Sequence, residues 1–263
     1  MLWPAGEYSP DRAERRNVRV SIITITYNSE AEIRSTIESV LGQSYTDMEY
    51  LVIDGASKDK TVDIAEDYRK AFKEKRIAYH IFSEPDKGIY DAMNKGILQA
   101  KGDIIGIINS GDKYFPDAVR TAVETFQRTD CELMFGNLWI QTNGRVCFEK
   151  KARQRRFYQT SRDWNHPTMF VKSDLYKRYP FRDLGIHDDY GFYLRMRRQK
   201  RKIVTVDKKL AIFALGGASN RKKLKEAVKR IKDRYQFCYR INGYSRLYLI
   251  ECIEIEVAKW FYT

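Results

Sequence analysis

The sequence predicts an α/β fold: a doubly wound, mostly parallel sheet followed by a C-terminal helical extension. Three observations lead there. Short β-branched runs without polar alternation, VRVSIITIT at 18–26 and IIGII at 104–108, read as strands buried on both faces. Segments between such runs repeat apolar residues at helical spacing, as Ile33, Ile37, Val40 and Leu41 do. The two kinds alternate as βαβαβαβαβ over residues 18–135, which places helices on both faces of a sheet with right-handed crossovers.

Each element has a local reason. Tyr27 and Asn28 close the first strand, and Ser29 is placed to cap the helix that follows. EYLVID at 49–54 is a second strand, and Gly55-Ala56-Ser57-Lys58-Asp59 carries turn chemistry. Residues 61–74 predict a charged amphipathic helix, 77–82 a third strand, and 88–101 a helix ended by Gly102. After the strand at 104–108, Pro116 opens a helix to residue 128, and 132–135 is a fifth strand. The pattern then changes. Asn143-Gly144 between alternating runs predicts a hairpin. A helix begins near Asp188, and KIVTVDKKLAIFALGG is strand-like up to Gly216-Gly217. Residues 221–240 predict a basic helix and 246–262 an amphipathic one.

Composition bounds the rest. The chain has 263 residues and a net charge of +13. Between Arg195 and Arg246 there are 18 Lys and Arg against three Asp and Glu, an asymmetry that suits an anionic partner. The first 17 residues are polar and expected to fray. No run is long and apolar enough to span a bilayer, and the N-terminus lacks a signal-peptide core, so a cytoplasmic location is expected. Cys131, Cys147, Cys238 and Cys252 form no C-x-x-C pair and read as reduced, small apolar residues.

In a doubly wound sheet, ligands bind beyond the carboxyl ends of the strands. The polar residues there are Thr26, Tyr27 and Asn28; Asp54, Gly55 and Ser57; Glu84, Asp86 and Lys87; and Ser110, Gly111 and Asp112. No G-x-G-x-x-G follows the first strand, and no P-loop is present. The rim carries acids instead, which suit a divalent cation that holds phosphate oxygens. A second acid pair, Asp188-Asp189, lies far away in sequence.

VSIITITYNSEAEIRSTIESVLGQSY, EYLVIDGASKDKTVDIAEDY and SEPDKGIYDAMNKGILQAKGDIIGIINSGDKYFPDA together resemble the inverting, family 2 glycosyltransferases of GT-A fold. The likeness is to the bacterial branch that builds O-antigen and capsular polysaccharide, and it covers about residues 18–220. It implies a nucleotide-sugar-binding half at 18–115, an acceptor half at 116–220 and a basic helical tail at 221–263.

The same resemblance implies roles. Thr26, Tyr27 and Asn28 would meet the base and ribose, Asp54 would accept from a pyrimidine ring, and Ser57 belongs to the same motif. Asp86, Lys87 and Gly88 would border the diphosphate. Asp91 and Asn94 would orient that loop or touch the donor sugar. Asn109-Ser110-Gly111-Asp112 would be the D-x-D element, with Asp112 holding Mn²⁺ or Mg²⁺. Relatives commonly have Asp-x-Asp-Asp, so two carboxylates are missing here. Asp189 would be the general base, with Asp188 beside it raising its pKa or binding the acceptor. His166 and Ser219 would lie near the acceptor or diphosphate. No Q-x-x-R-W of processive synthases is present, which favours transfer of a single sugar.

The implied donor is a nucleotide-diphosphate sugar, with UDP expected. The acceptor is a glycan or a polyprenyl-diphosphate-linked glycan. Leu249, Ile250, Ile253, Val257, Trp260 and Phe261 form an apolar stripe, which with the basic helix suits peripheral contact with an anionic membrane or a homodimer through the C-terminal helices. Two other classes compete. A nucleic-acid- or membrane-binding protein would use the basic C-terminal half, but no RNP-type aromatics or helix-turn-helix support nucleic acid. A nucleotidyltransferase would need a Gly-rich basic loop where Thr26-Tyr27-Asn28-Ser29 stands.

Overall fold

The computed structural model describes residues 17–142, 145–182, 187–214 and 224–262. In chain order these form β1 (Val20–Thr26), α1 (Ile33–Leu41), β2 (Met48–Asp54), α2 (Thr61–Glu66), α3 (Arg69–Glu74), β3 (Ala78–Ser83), α4 (Ile89–Gln99), β4 (Ile104–Asn109), β5 (Lys113–Tyr114) and α5 (Ala118–Thr129). There follow β6 (Leu133–Thr142), β7 (Arg145–Lys150), β8 (Phe170–Lys172), α6 (Ser173–Arg178), α7 (Asp188–Arg198), β9 (Ile203–Ala214), α8 (Leu224–Arg234) and α9 (Tyr248–Tyr262).

Strands β3, β2, β1 and β4 lie side by side and parallel, in that order. The sheet then runs on through β8, β6, β9 and β5, with β7 paired to β6. Strand alternation splits the core between two faces. Ile23, Ile25, Leu51 and Ile53 pack on Tyr90, Met93 and Ile97 of α4 and on the aromatic residues of α7. Val20, Ile22, Tyr50 and Val52 pack on Ile33, Ile37 and Val40 of α1, on Phe72, and on Val119 and Phe126 of α5.

Several expectations need correction. The strand at 133 does not pair with β4, because the short β8 lies between them and is antiparallel to both. Hydrophobic runs do not encode strand direction, so the sequence pattern could not show this. The helix expected at 61–74 is two helices: the turn at 67–68 lets the Tyr68 hydroxyl reach Glu38 of α1 at 2.6 Å. The Ser29 side chain caps nothing. Its hydroxyl bonds to Tyr27 O, and its carbonyl accepts from Glu32 and Ile33 instead. Gly102 is not a helix cap, since Ala100 is already extended. It is there because a Cβ would come within 2.6 Å of Ser21 N.

The basic C-terminal segment is not a detached tail. Cys238, Tyr239, Tyr248 and Cys252 join the same core as α7. Between α8 and α9 the chain makes a π-helical turn, Tyr235–Tyr239, and a 3₁₀ turn, Arg240–Asn242. Cys131, Cys238 and Cys252 are buried free thiols, as expected. The hairpin strands β6 and β7 pair antiparallel, while its Asn143-Gly144 tip lies outside the described residues, as do Ser219, Gly216 and Gly217. Among the described residues no helix is long and apolar enough to cross a membrane.

Candidate active site

The parallel strands bring their following turns to one rim. At the end of β1, Tyr27 is 60% exposed, the most open aromatic among the rim residues. Asn28 takes a left-handed conformation, φ 46°. Its N–H donates to Ser57 Oγ at 2.8 Å, and its side-chain oxygen accepts from Lys58 N at 2.8 Å. Ser57 in turn donates to Asp54 Oδ1, and Asp54 Oδ2 accepts from Ser57 N and Ser83 Oγ. Asn28 and Ser57 therefore staple the β1 and β2 turns together. Asp54 is 1% exposed and accepts from three donors, two on Ser57 and one on Ser83.

Gly55 lets the next turn close in: a Cβ there would lie 2.5 Å from Asp86 Oδ2 and 3.3 Å from the Tyr27 ring. Tyr27, Gly55 and Asp86 thus form one shallow floor. Asp86 Oδ1 accepts from Gly88 N at 2.8 Å, and Asp91 Oδ2 accepts from Lys87 N at 3.0 Å. Gly88, with φ 129°, begins α4 in a conformation that disfavours any side chain. Asp91 is hence the loop-orienting residue, through the α4 N-terminus. Asn94 does not face a donor. Its amide exchanges two hydrogen bonds with the Phe181 backbone, at 2.9 and 3.0 Å.

The turn after β4 is held from α1. Thr36 Oγ1 accepts from Gly111 N at 3.0 Å and donates to Asp112 O at 2.7 Å. Gly111 is needed for its φ of 97°, not for close approach, because a Cβ would meet nothing nearer than 3.8 Å. Thr26 Oγ1, Asn109 Oδ1 and Ser110 Oγ are buried and have no hydrogen-bond partner among the described residues. Three orphaned oxygen atoms at adjoining strand ends are costly unless a ligand meets them.

Asp112 departs from expectation. It is 3% exposed, and Oδ1 accepts from Ala214 N of β9 at 3.1 Å. Burial pushes its carboxyl up to about 8, against the pull of that N–H. Among the described residues no three His, Cys, Asp or Glu are grouped to hold a metal. Asp112 would offer Mn²⁺ or Mg²⁺ a single carboxylate, with the remaining positions left to phosphate and water.

The acid pair divides. Asp188 is 4% exposed and accepts from the backbone N–H of Arg182, so it anchors the chain ahead of α7 rather than facing the rim. Burial raises its pKa. Asp189 is the open one. Its Oδ1 accepts from Tyr190 N at 2.8 Å and from the Tyr90 hydroxyl at 3.1 Å. Its Oδ2 faces His166 Nδ1 at 3.6 Å. Burial lowers the His166 pKa, with the Asp189 carboxylate pulling the other way. Both ring nitrogens of His166 lack a hydrogen-bond partner among the described residues.

Tyr90 is the residue that sequence reasoning missed. It lies inside GIYDAMN, next to the singled-out Asp91, and shares the buried phase of α4 with Met93 and Ile97. That phase was legible, but its partner 99 residues away was not. Further support for α7 comes from the C-terminus. Tyr239 OH donates to Glu251 at 2.7 Å and contacts Tyr190 OH at 3.3 Å.

Known proteins match this arrangement. The crystal structure of S. aureus TarS 1–349 superposes with a TM-score of 0.63 at 19% identity, over 92% of this chain and 72% of that one. The mannosyltransferase PcManGT from Pyrobaculum calidifontis, in complex with GDP-Man and Mn²⁺, also gives 0.63 at 19% identity, over 97% and 77%. The fold is thus that of the GT-A glycosyltransferases. The sequence model for glycosyl transferase family 2 matches residues 21–201, and the chain belongs to that family. An uncharacterized glycosyltransferase of Mycobacterium tuberculosis (strain CDC 1551 / Oshkosh) is 42% identical over 186 residues, 67% of this chain and 68% of its own length. The putative teichuronic acid biosynthesis glycosyltransferase TuaG of Bacillus subtilis is 33% identical over 116 residues, 44% of this chain and 45% of its own.

Proposed function

We propose that this glycosyltransferase moves one sugar from a nucleotide-diphosphate donor, with UDP the expected carrier, to a hydroxyl of a glycan or lipid-linked acceptor, with inversion. The relationship to TuaG supports a place in bacterial surface polysaccharide synthesis. One observation carries the mechanism: Asp189 has one oxygen fixed by Tyr90 and Tyr190 and the other without a hydrogen bond among the described residues. A carboxylate so held keeps its orientation and retains a lone pair for a proton.

The donor half, 18–115, would present the Tyr27 ring to the base and the orphaned oxygens of Thr26, Asn109 and Ser110 to donor hydroxyls. Lys87, exposed on the loop before α4, would offer positive charge to the diphosphate. The acceptor hydroxyl would lie against Asp189 Oδ2, and His166 would bound that position as a neutral ring. The new bond joins the acceptor oxygen to the anomeric carbon, and the bond from that carbon to the diphosphate oxygen breaks. The diphosphate leaves with the electron pair, and the acceptor proton passes to Asp189. PcManGT was solved with Mn²⁺. A cation in this chain would arrive on the donor's own diphosphate.

The experiment is a hydrolysis and transfer screen over UDP- and GDP-sugars, with the anomeric configuration of the product read by proton NMR. Asp189→Asn should lower kcat by about 100- to 10,000-fold while donor binding persists. A retained anomeric configuration, or a full rate in that variant, would sink the proposal.

A further inference from the structure

Helix α9 is built inside out. Two of its three carboxylates point inward: Glu251 is 1% and Glu256 2% exposed, while Glu254 faces outward. Glu251 accepts from Ser161 N and Oγ and from Tyr239 OH. Glu256 takes two bonds from the Arg230 guanidinium, at 2.9 and 2.7 Å. Meanwhile Leu249, Ile250, Ile253 and Val257 are all exposed. Ile250, Ile253 and Val257 follow one another at three and four residues, so they form a single stripe. Packing in a globular core would select the opposite arrangement. The sequence placed an apolar stripe on this helix, and its members Leu249, Ile250, Ile253 and Val257 lie on the outer face, while the side chains of Trp260 and Phe261 lie outside those described.

The surroundings extend the stripe. Leu247 precedes the helix and is exposed. Phe157, at 86% exposure, stands at the same end, because its carbonyl accepts from Tyr248 OH and the adjacent Tyr158 ring stacks on Tyr248 at 4.8 Å. The Arg156 guanidinium lies 5.2 Å from the Phe157 ring centre. Lys229, Lys232, Arg240 and Arg246 are exposed on the neighbouring segments. Glu254, the exposed acid of this stretch, is 3.9 Å from Arg162. With two acids turned inward and basic residues outward, the face is mainly apolar and positive, Glu254 being the one outward carboxylate of α9.

We propose that this face docks on an anionic lipid surface, with Ile250, Ile253 and Val257 entering the boundary between headgroups and acyl chains. Charge decides between occupants. A second copy would bring together two chains of net charge +13, each basic around the contact. An anionic bilayer complements that charge and takes up the apolar stripe. Docking of this kind is independent of the transfer chemistry and uses none of its residues.

The test is co-sedimentation of the full chain with phosphatidylcholine vesicles, with and without phosphatidylglycerol. The wild type should bind the anionic vesicles about tenfold or more tightly than the neutral ones and release at high salt. The double variant Ile250→Glu/Ile253→Glu should bind anionic vesicles about tenfold or more weakly, with an unchanged Tm because both side chains face outward. Lys229→Glu/Lys232→Glu should weaken anionic binding and leave the neutral baseline alone. Equal binding by wild type and the Ile250/Ile253 variant overturns the proposal, as does equal binding to both vesicle types. A vesicle-free dimer that Ile250→Glu/Ile253→Glu dissociates would also overturn it, by assigning the face to a second copy.

Discussion

Replacing Asp112 by Asn should stabilise this protein, increasingly so as pH rises. The folded carboxyl is pushed to about 8 by burial, from 3.8 in the unfolded chain. An acid with a raised folded pKa costs nothing below its unfolded value, where both states are protonated. Above that value the unfolded chain ionises and the folded one does not, so stability falls with pH until the folded pKa is passed. At about 1.36 kcal/mol per pH unit, the whole span amounts to a ceiling of about 6 kcal/mol. Relaxation of the turn around a forming charge reduces this, and about 2 kcal/mol or more is expected at pH 8. Asparagine keeps the oxygen that accepts from Ala214 N and removes the titration. Urea unfolding followed by circular dichroism at pH 4 and pH 8 reads the effect. The two proteins should be close at pH 4, with the variant ahead at pH 8. A gap that does not widen with pH would refute the reasoning. So would loss of transfer that millimolar Mn²⁺ restores, which would reinstate Asp112 as a metal ligand.

Three further outcomes are expected. Tyr90→Phe removes one hydrogen bond from Asp189; kcat should fall about tenfold in steady-state transfer assays, with donor KM nearly unchanged. His166 is buried with a lowered pKa, so the unfolded chain takes up the proton first and stability should decline as pH falls below about 6.5; thermal melts of His166→Gln should lack that part of the slope. Asn94→Leu breaks both bonds to Phe181 and should cost about 1–3 kcal/mol of stability by chemical denaturation, with donor affinity little changed.

Much of the fold was legible because burial leaves a direct trace in composition. The runs at 18–26 and 104–108 are β-branched because both faces of those strands are covered. The amphipathic helices show the spacing of their buried sides. Gly88 and Gly111 both take positive φ, a backbone reason that their place in the motifs did not by itself reveal. Less legible was where each polar side chain turns. Asn28, Ser57 and Asn94 carry groups suited to a ligand but spend them on neighbouring backbone and side chains.

The sequence by itself determined the parallel half of the sheet, the rim where polar turns gather, and the presence of two separated acid clusters. These follow from hydrophobic period and turn chemistry, which are local properties. Only the tertiary structure decided which acid of each cluster is available. Asp188 and Asp189 are adjacent in the chain, yet one is turned to the Arg182 backbone and the other to Tyr90 and His166. Asp112 lies in the turn after β4, in a motif that suggests metal, and the approach of β9 buries it against Ala214. The outward stripe of α9 was likewise settled by Arg230, Ser161 and Tyr239, which draw its carboxylates inside. In each case the cause is long-range: burial and partner choice are set by elements distant in sequence, and no local pattern carries that information.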